Sequence, residues 1–214
     1  PYARHLAEND KFDEAMAAFI DAGEPEEAVK MIELLSHNAV LERRFKDAAY
    51  YFLLLGLKNL EMNKLENLEG EALSEQQKNT VRKRVSTFFK CKKMSTLYYA
   101  YHHIHEYSEL PFNSMPPKYL FNMARFLLMN IGKQTPYGLN RTLVVTTLAK
   151  LSTMLEHYKL AREAYQRLGT LRVPPQLQPD IDLNSILINA KPMTNNEEDL
   201  PICFRCSTSN QLLQ

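Results

Sequence analysis

Three residue types recur along this chain at one fixed spacing: a ring, an alanine three positions later, and a second ring four positions after that. Phe12, Ala15 and Phe19 form the pattern, and Phe45, Ala48 and Phe52 repeat it 33 residues on at all three positions. Tyr158, Ala161 and Tyr165 form it again. Positions i, i+3 and i+7 share one face of a helix. Two large rings with a small residue between them make a ridge with a notch, and the notch lets a neighbouring helix approach closely. A period of about 34 residues is that of tetratricopeptide-type helix hairpins. The predicted fold class is all-α: a TPR-like helical-repeat solenoid, ending in a short irregular C-terminal tail.

Composition agrees. The 214 residues are 45% hydrophobic, with only 6 Gly and no Trp, which favours helix over a Gly-rich β fold. Lys and Arg number 26 against 25 Asp and Glu, a formal net charge of +1. Bulk nucleic-acid binding needs a concentrated positive field, and this chain is balanced. Three cysteines make no disulfide framework and fit a reducing compartment. The longest apolar stretch, Tyr50 to Leu57, is too short to cross a bilayer, and no signal peptide is recognisable. The opening residues Tyr2 to Ala7 read as a helix cut from a longer protein, without an initiator Met.

The expected boundaries follow from turn chemistry. Asn9-Asp10 separates the first helix from the one bearing Phe12. Gly23 stops a helix, and Pro25-Glu26-Glu27 starts the next, whose apolar stripe is Ala28, Ile32 and Leu35. Ser36-His37-Asn38 is expected to turn before the helix carrying Phe45. Leu53 to Leu73 reads as a helix outrunning its partner. It carries Glu61, Glu66, Glu69, Glu71 and Glu75, and Arg82, Lys83, Arg84, Lys90, Lys92 and Lys93 follow. Such a layout makes solvated faces pairing loosely across a hairpin. The sharper alternative is a basic patch for anionic lipid or an acidic partner. Helices are expected at Leu120 to Ile131 and, in two pieces joined near Glu156-His157, at Leu139 to Gly169. Three regions result: helical repeats over 1–171, a Pro-rich connector with a terminal helix or extended segment over 172–192, and a loop with a metal half-site over 193–214. Pro174, Pro175 and Pro179 argue for an extended connector, and Leu183, Ile186, Leu187 and Ala190 for a helix after it.

Two clusters carry metal-binding residue types. His102 and His105 share a helix face at i, i+3, but Glu106 is adjacent to His105 and is expected to face elsewhere, so ordinary packing and surface histidines are the expectation. Cys203-Phe204-Arg205-Cys206 has the C-x2-C spacing of a zinc knuckle. A structural zinc needs four ligands, and the residues after Cys206 contain neither Cys nor His. Cys203 and Cys206 are therefore half of a zinc site, with the second pair expected beyond Gln214, or else two ordinary reduced thiols. The surrounding pattern lacks the βαβ context of a redox pair.

Several stretches carry a resemblance. Arg44 to Tyr51, Pro117 to Leu128, Tyr158 to Arg162, Ile188 to Pro192 and above all Leu200 to Thr208 resemble the C-terminal part of intraflagellar transport complex A subunits, in the same order and over nearly the whole chain. The resemblance implies the end of a helical arm that in such subunits follows WD-repeat propellers, and the first half of a C-terminal zinc ribbon held at Cys203 and Cys206. It implies sister subunits of the complex and ciliary cargo or adaptor proteins as partners. It also implies a location at the cilium, its basal body and the cytoplasm, and a non-catalytic part in retrograde and membrane-protein transport. Two rivals stay open: a coatomer-like vesicle-coat arm, and a zinc-ribbon nucleic-acid binder, against which the near-neutral charge counts. An enzyme is not expected, because no Gly-rich phosphate loop, nucleophile motif or metal triad is legible. Zinc is expected only with further ligands, and no other cofactor.

Overall fold

In a computed structural model, residues 2–9, 11–66, 75–110, 115–132 and 134–196 are described, with backbone alone for 62–66. Among these residues all regular structure is helical. In chain order the helices are α1 (Tyr2–Glu8), α2 (Phe12–Asp21), α3 (Pro25–Leu41), α4 (Phe45–Glu66) and α5 (Glu75–Glu109), then α6 (Pro117–Asn130), α7 (Arg141–Met154), α8 (Tyr158–Leu168) and α9 (Gln178–Asn189). The chain divides into two compact units, Pro1–Tyr99 and Ala100–Gln214.

One joint is used repeatedly. After α2, α3 and α7, a residue at positive φ turns the chain out of the helix: Gly23 (70°), Arg43 (60°) and Glu156 (62°). The next amide reaches back five residues to close the turn. Glu24 N–H donates to the Phe19 carbonyl (2.9 Å), Arg44 N–H to Ala39 (2.8 Å) and His157 N–H to Ser152 (2.8 Å). The inner bond is present as well, from Gly23 to Ile20 (3.1 Å), Arg43 to Val40 (3.1 Å) and Glu156 to Thr153 (3.3 Å). This pair of bonds is the Schellman motif, which satisfies the last carbonyls of a helix. The amide of Lys11 makes the same outer bond to Leu6 (3.0 Å) at the end of α1. A helix begins on the very next residue each time, so α2, α4 and α8 open on Phe12, Phe45 and Tyr158, the first rings of the recurring pattern.

The notch works as the spacing predicts. Ala15, Ala48 and Ala161 have no exposed surface, and the second rings, Phe19, Phe52 and Tyr165, are buried. Of the first rings Phe45 is buried, whereas Phe12 and Tyr158 are half-buried, Phe12 packing against the core from its rim. Its helix opens at the edge of a small core built from Ala3, Leu6, Ala15, Phe19, Ala28 and Met31. In the α4 repeat the notch holds a ring from α5. Tyr98 stacks on Phe45 (centroids 6.3 Å apart, planes at 9°) and on Phe52 (5.3 Å, 10°), occupying the gap that Ala48 leaves between them. Two further features draw α4 and α5 together. Ser95 Oγ, buried, donates to the Ala49 carbonyl at 2.7 Å. At Gly56 a β-carbon would stand 3.2 Å from both Cys91 Cβ and Phe88 Cδ2.

In the second unit α6 to α9 pack as consecutive neighbours. Leu120, Phe121, Ala124 and Leu127 of α6 are fully buried, as are Val144, Val145, Leu148 and Leu151 of α7. The His157 ring stacks on Phe121 (4.9 Å, 15°), so the joint before α8 is wedged into this core. Asn140 caps α7, its side-chain oxygen accepting from the Leu143 amide at 3.2 Å.

Three local expectations are corrected. Ser36-His37-Asn38 is no turn, because α3 runs through it to Leu41. Ser36 is buried with its hydroxyl donating to the Glu33 carbonyl (2.7 Å), a bond that takes up the polar group without breaking the helix. Pro179 belongs to the first turn of α9, where its missing N–H costs nothing, so the extended connector is shorter than its prolines imply. Glu61 pairs with Lys58 of its own helix (2.7 Å) instead of across a hairpin. The remainder of the expected α4 extension, 67–73, lies outside the described residues.

Candidate functional site

The residues with most chemistry sit on the last turns of α5. Leu97, Tyr98, Tyr101 and Ile104 are buried and fix which face of that helix is inside. Tyr101 is held further by its hydroxyl, which accepts from the Asn140 amide at 3.1 Å. That leaves His102, His103, His105 and Glu106 on a half-buried flank. Glu106 does not face elsewhere: it lies four residues from His102 and three from His103, the spacings that meet on a helix. One carboxylate oxygen, Oε2, is 3.7 Å from His102 Nε2 and 3.9 Å from His103 Nδ1. The ligand atoms of all three residues lie within 4.8 Å of one another. His105, which the sequence pairs with His102, instead meets Glu109 at 3.6 Å. Glu106 is misread when it is set against its sequence neighbour His105 alone.

Cys203 and Cys206 lie outside the described residues. Cys91 is a free, buried cysteine on α5. Burial pushes its thiol pKa up, with the nearby Glu33 charge adding to the effect, so it is held protonated and is a poor nucleophile or ligand.

Arg162, unremarked in the sequence except as part of a resemblance, ties the end of α9 to α8. Its guanidinium Nη2 donates to the carbonyls of Ile188 (3.0 Å), Asn189 (3.2 Å) and Lys191 (2.9 Å). Ile188 and Asn189 belong to the last turn of α9 and Lys191 lies two residues beyond it, where a cation complements the helix dipole. Asn195 completes the clasp, accepting from the Leu160 amide at 3.1 Å, while the Thr194 carbonyl accepts from Lys159 at 3.1 Å.

Large apolar side chains also stand in solvent. Tyr50, Leu53 and Leu57 are 62%, 40% and 43% exposed on one stripe of α4. Their i, i+3, i+7 spacing is that of a helix face suited to another helix. No helix among the described residues is long and apolar enough to cross a membrane.

Sequential helices, tight Schellman joints and ring-in-notch packing define a TPR-like helical-repeat protein. Residues 1–143 match the family described as "IFT122, TPR domain". The curated relatives include proteins named "Intraflagellar transport protein 122 homolog" from Homo sapiens and Mus musculus, each 43% identical over 213 residues, and from Danio rerio, 40% identical over 213. Each alignment covers 100% of this chain but only 16% of the human protein and 17% of the other two. The chain belongs to the IFT122 family.

Proposed function

We propose that this chain is part of a non-catalytic scaffold arm of intraflagellar transport complex A, acting at the cilium and its basal body and in the cytoplasm. The observation that carries this reading is family membership along the whole chain, at 43% identity to the human relative. A helical repeat buries one face of each hairpin and leaves another for partners, and the Tyr50, Leu53 and Leu57 stripe is such a face. Its partners are sister subunits of the complex and, through them, ciliary cargo or adaptors moved in retrograde and membrane-protein transport. Cys203 and Cys206 supply two thiolates of a zinc ribbon, completed by two more ligands elsewhere in a longer protein. A half-site holds zinc weakly, because two thiolates offset the dication less well than four.

The test is recovery of the tagged chain from ciliated cells, with quantitative immunodetection of sister subunits and imaging of the axoneme. Sister subunits enriched with the chain, and the chain present along cilia, are expected. Recovery of coatomer subunits in their place would overturn the assignment in favour of a vesicle-coat arm.

A further inference from the structure

The convergence at the end of α5 offers a chemistry that a protein-binding arm does not use. We propose that His102, His103 and Glu106 form a binding site for a divalent transition metal of the zinc class, distinct from Cys203 and Cys206. The ligands are His102 Nε2, His103 Nδ1 and a carboxylate oxygen of Glu106, with solvent completing the shell.

Geometry carries the inference. In a tetrahedral site with metal–ligand bonds of about 2.0–2.1 Å, neighbouring ligand atoms stand about 3.3–3.4 Å apart. The Glu106 oxygen is already 3.7 Å from one imidazole nitrogen and 3.9 Å from the other. The two imidazole nitrogens lie within 4.8 Å of each other, so side-chain rotations of up to about 1.4 Å bring all three ligands onto one ion. Two neutral imidazoles and one carboxylate make a donor set suited to zinc. The helix beneath is fixed, since Tyr101 and Ile104 are buried on either side of the histidines in sequence. A rigid element holds ligands in place better than a loop.

Simple ion pairing explains the arrangement less well. One carboxylate oxygen faces two imidazoles whose ring centroids are 5.0 Å apart. One dication can be shared by both imidazoles and the carboxylate at once. His105 and Glu109 show the ordinary alternative on the same helix, one imidazole with one carboxylate at 3.6 Å.

The test uses the 214-residue chain carrying Cys203→Ser and Cys206→Ser, which removes the thiolate site and separates this proposal from the zinc ribbon. Zinc chloride is titrated against a chromophoric chelator. About one equivalent should bind, and His102→Gln or Glu106→Gln added to that chain should weaken binding at least about tenfold. X-ray absorption at the zinc edge should report imidazole and oxygen ligands without sulfur. No stoichiometric uptake, or unchanged affinity in either variant, would overturn the proposal. If a variant loses helicity by circular dichroism, the absorption spectrum of the double-serine chain decides: a shell of water oxygens alone refutes the site.

Discussion

Ala48→Asp tests the repeat at its narrowest point. Ala48 has no exposed surface, and the Tyr98 ring lies in the gap between Phe45 and Phe52 that its small side chain leaves open. A carboxylate placed there must be desolvated. The nearest basic side chain in sequence beyond Lys46, Arg44, is already committed to Glu42 and Asp47, each at 2.7 Å, and is half in water. An uncompensated buried charge costs about 3–5 kcal/mol. The lower helix propensity of Asp adds only about 0.5–0.7 kcal/mol. Burial therefore dominates, and Tyr50→Asp on the same helix is the control, because Tyr50 is 62% exposed. Its cost should stay near the roughly ±0.5 kcal/mol typical of surface changes. Urea unfolding followed by far-UV circular dichroism reads the difference. With a slope of about 2 kcal/mol per molar, the midpoint for Ala48→Asp should fall by roughly 1.5–2.5 M. Midpoints for the two variants within about 0.5 M of each other, at equal slopes, would refute the ring-in-notch account.

Other consequences follow from single contacts. Gly23→Ala places a β-carbon at φ 70° in open space, so its cost is conformational, about 1 kcal/mol, whereas Arg43→Gly at φ 60° should be neutral or slightly stabilising; both are read from the same urea curves. Burial pushes the Tyr98 phenol from 10.0 up to about 12. The folded state thus keeps this proton longer than the unfolded chain: its contribution is fully present below about pH 10 and is lost as pH rises towards 12, on the order of 3 kcal/mol in all. Tyr98→Phe should flatten that alkaline limb in a pH series of unfolding curves. Arg162→Ala removes donors from three carbonyls at the end of α9, and charged hydrogen bonds contribute about 1.5–3 kcal/mol. Amide exchange over 186–195 should speed by at least about tenfold while α6 and α7 stay protected; an unchanged pattern would show the clasp to be idle.

Much of the fold was legible because the repeat writes itself as spacing. The recurrence at Phe12, Phe45 and Tyr158 marks three helices to their first residue, and Gly23 with Pro25 marks a joint by its chemistry. The joints at Arg43 and Glu156 are harder to see, since neither is the glycine that a positive φ favours. Ser36-His37-Asn38 looks like a turn because those residue types compete with the helix backbone, yet Ser36 bonds within the helix instead. Gly56 gives no signal inside an apolar run, because its purpose is the approach of α5, which lies far away in sequence. The clasp at Arg162 is hidden for the same reason: its acceptors are backbone carbonyls, which carry no residue signature. At the histidine cluster the residue types are plain in the sequence, and only the i+3 and i+4 reach of Glu106 is obscured by its neighbour.

A binding arm should associate directly with its partners as purified components. The chain is run by sedimentation velocity at micromolar concentration with each recombinant sister subunit of intraflagellar transport complex A, beside a variant carrying Tyr50→Glu, Leu53→Glu and Leu57→Glu. One sister subunit should co-sediment with the chain at a fixed ratio, and the variant should lose that species while keeping its helicity. Separate boundaries with every sister subunit would contradict the account.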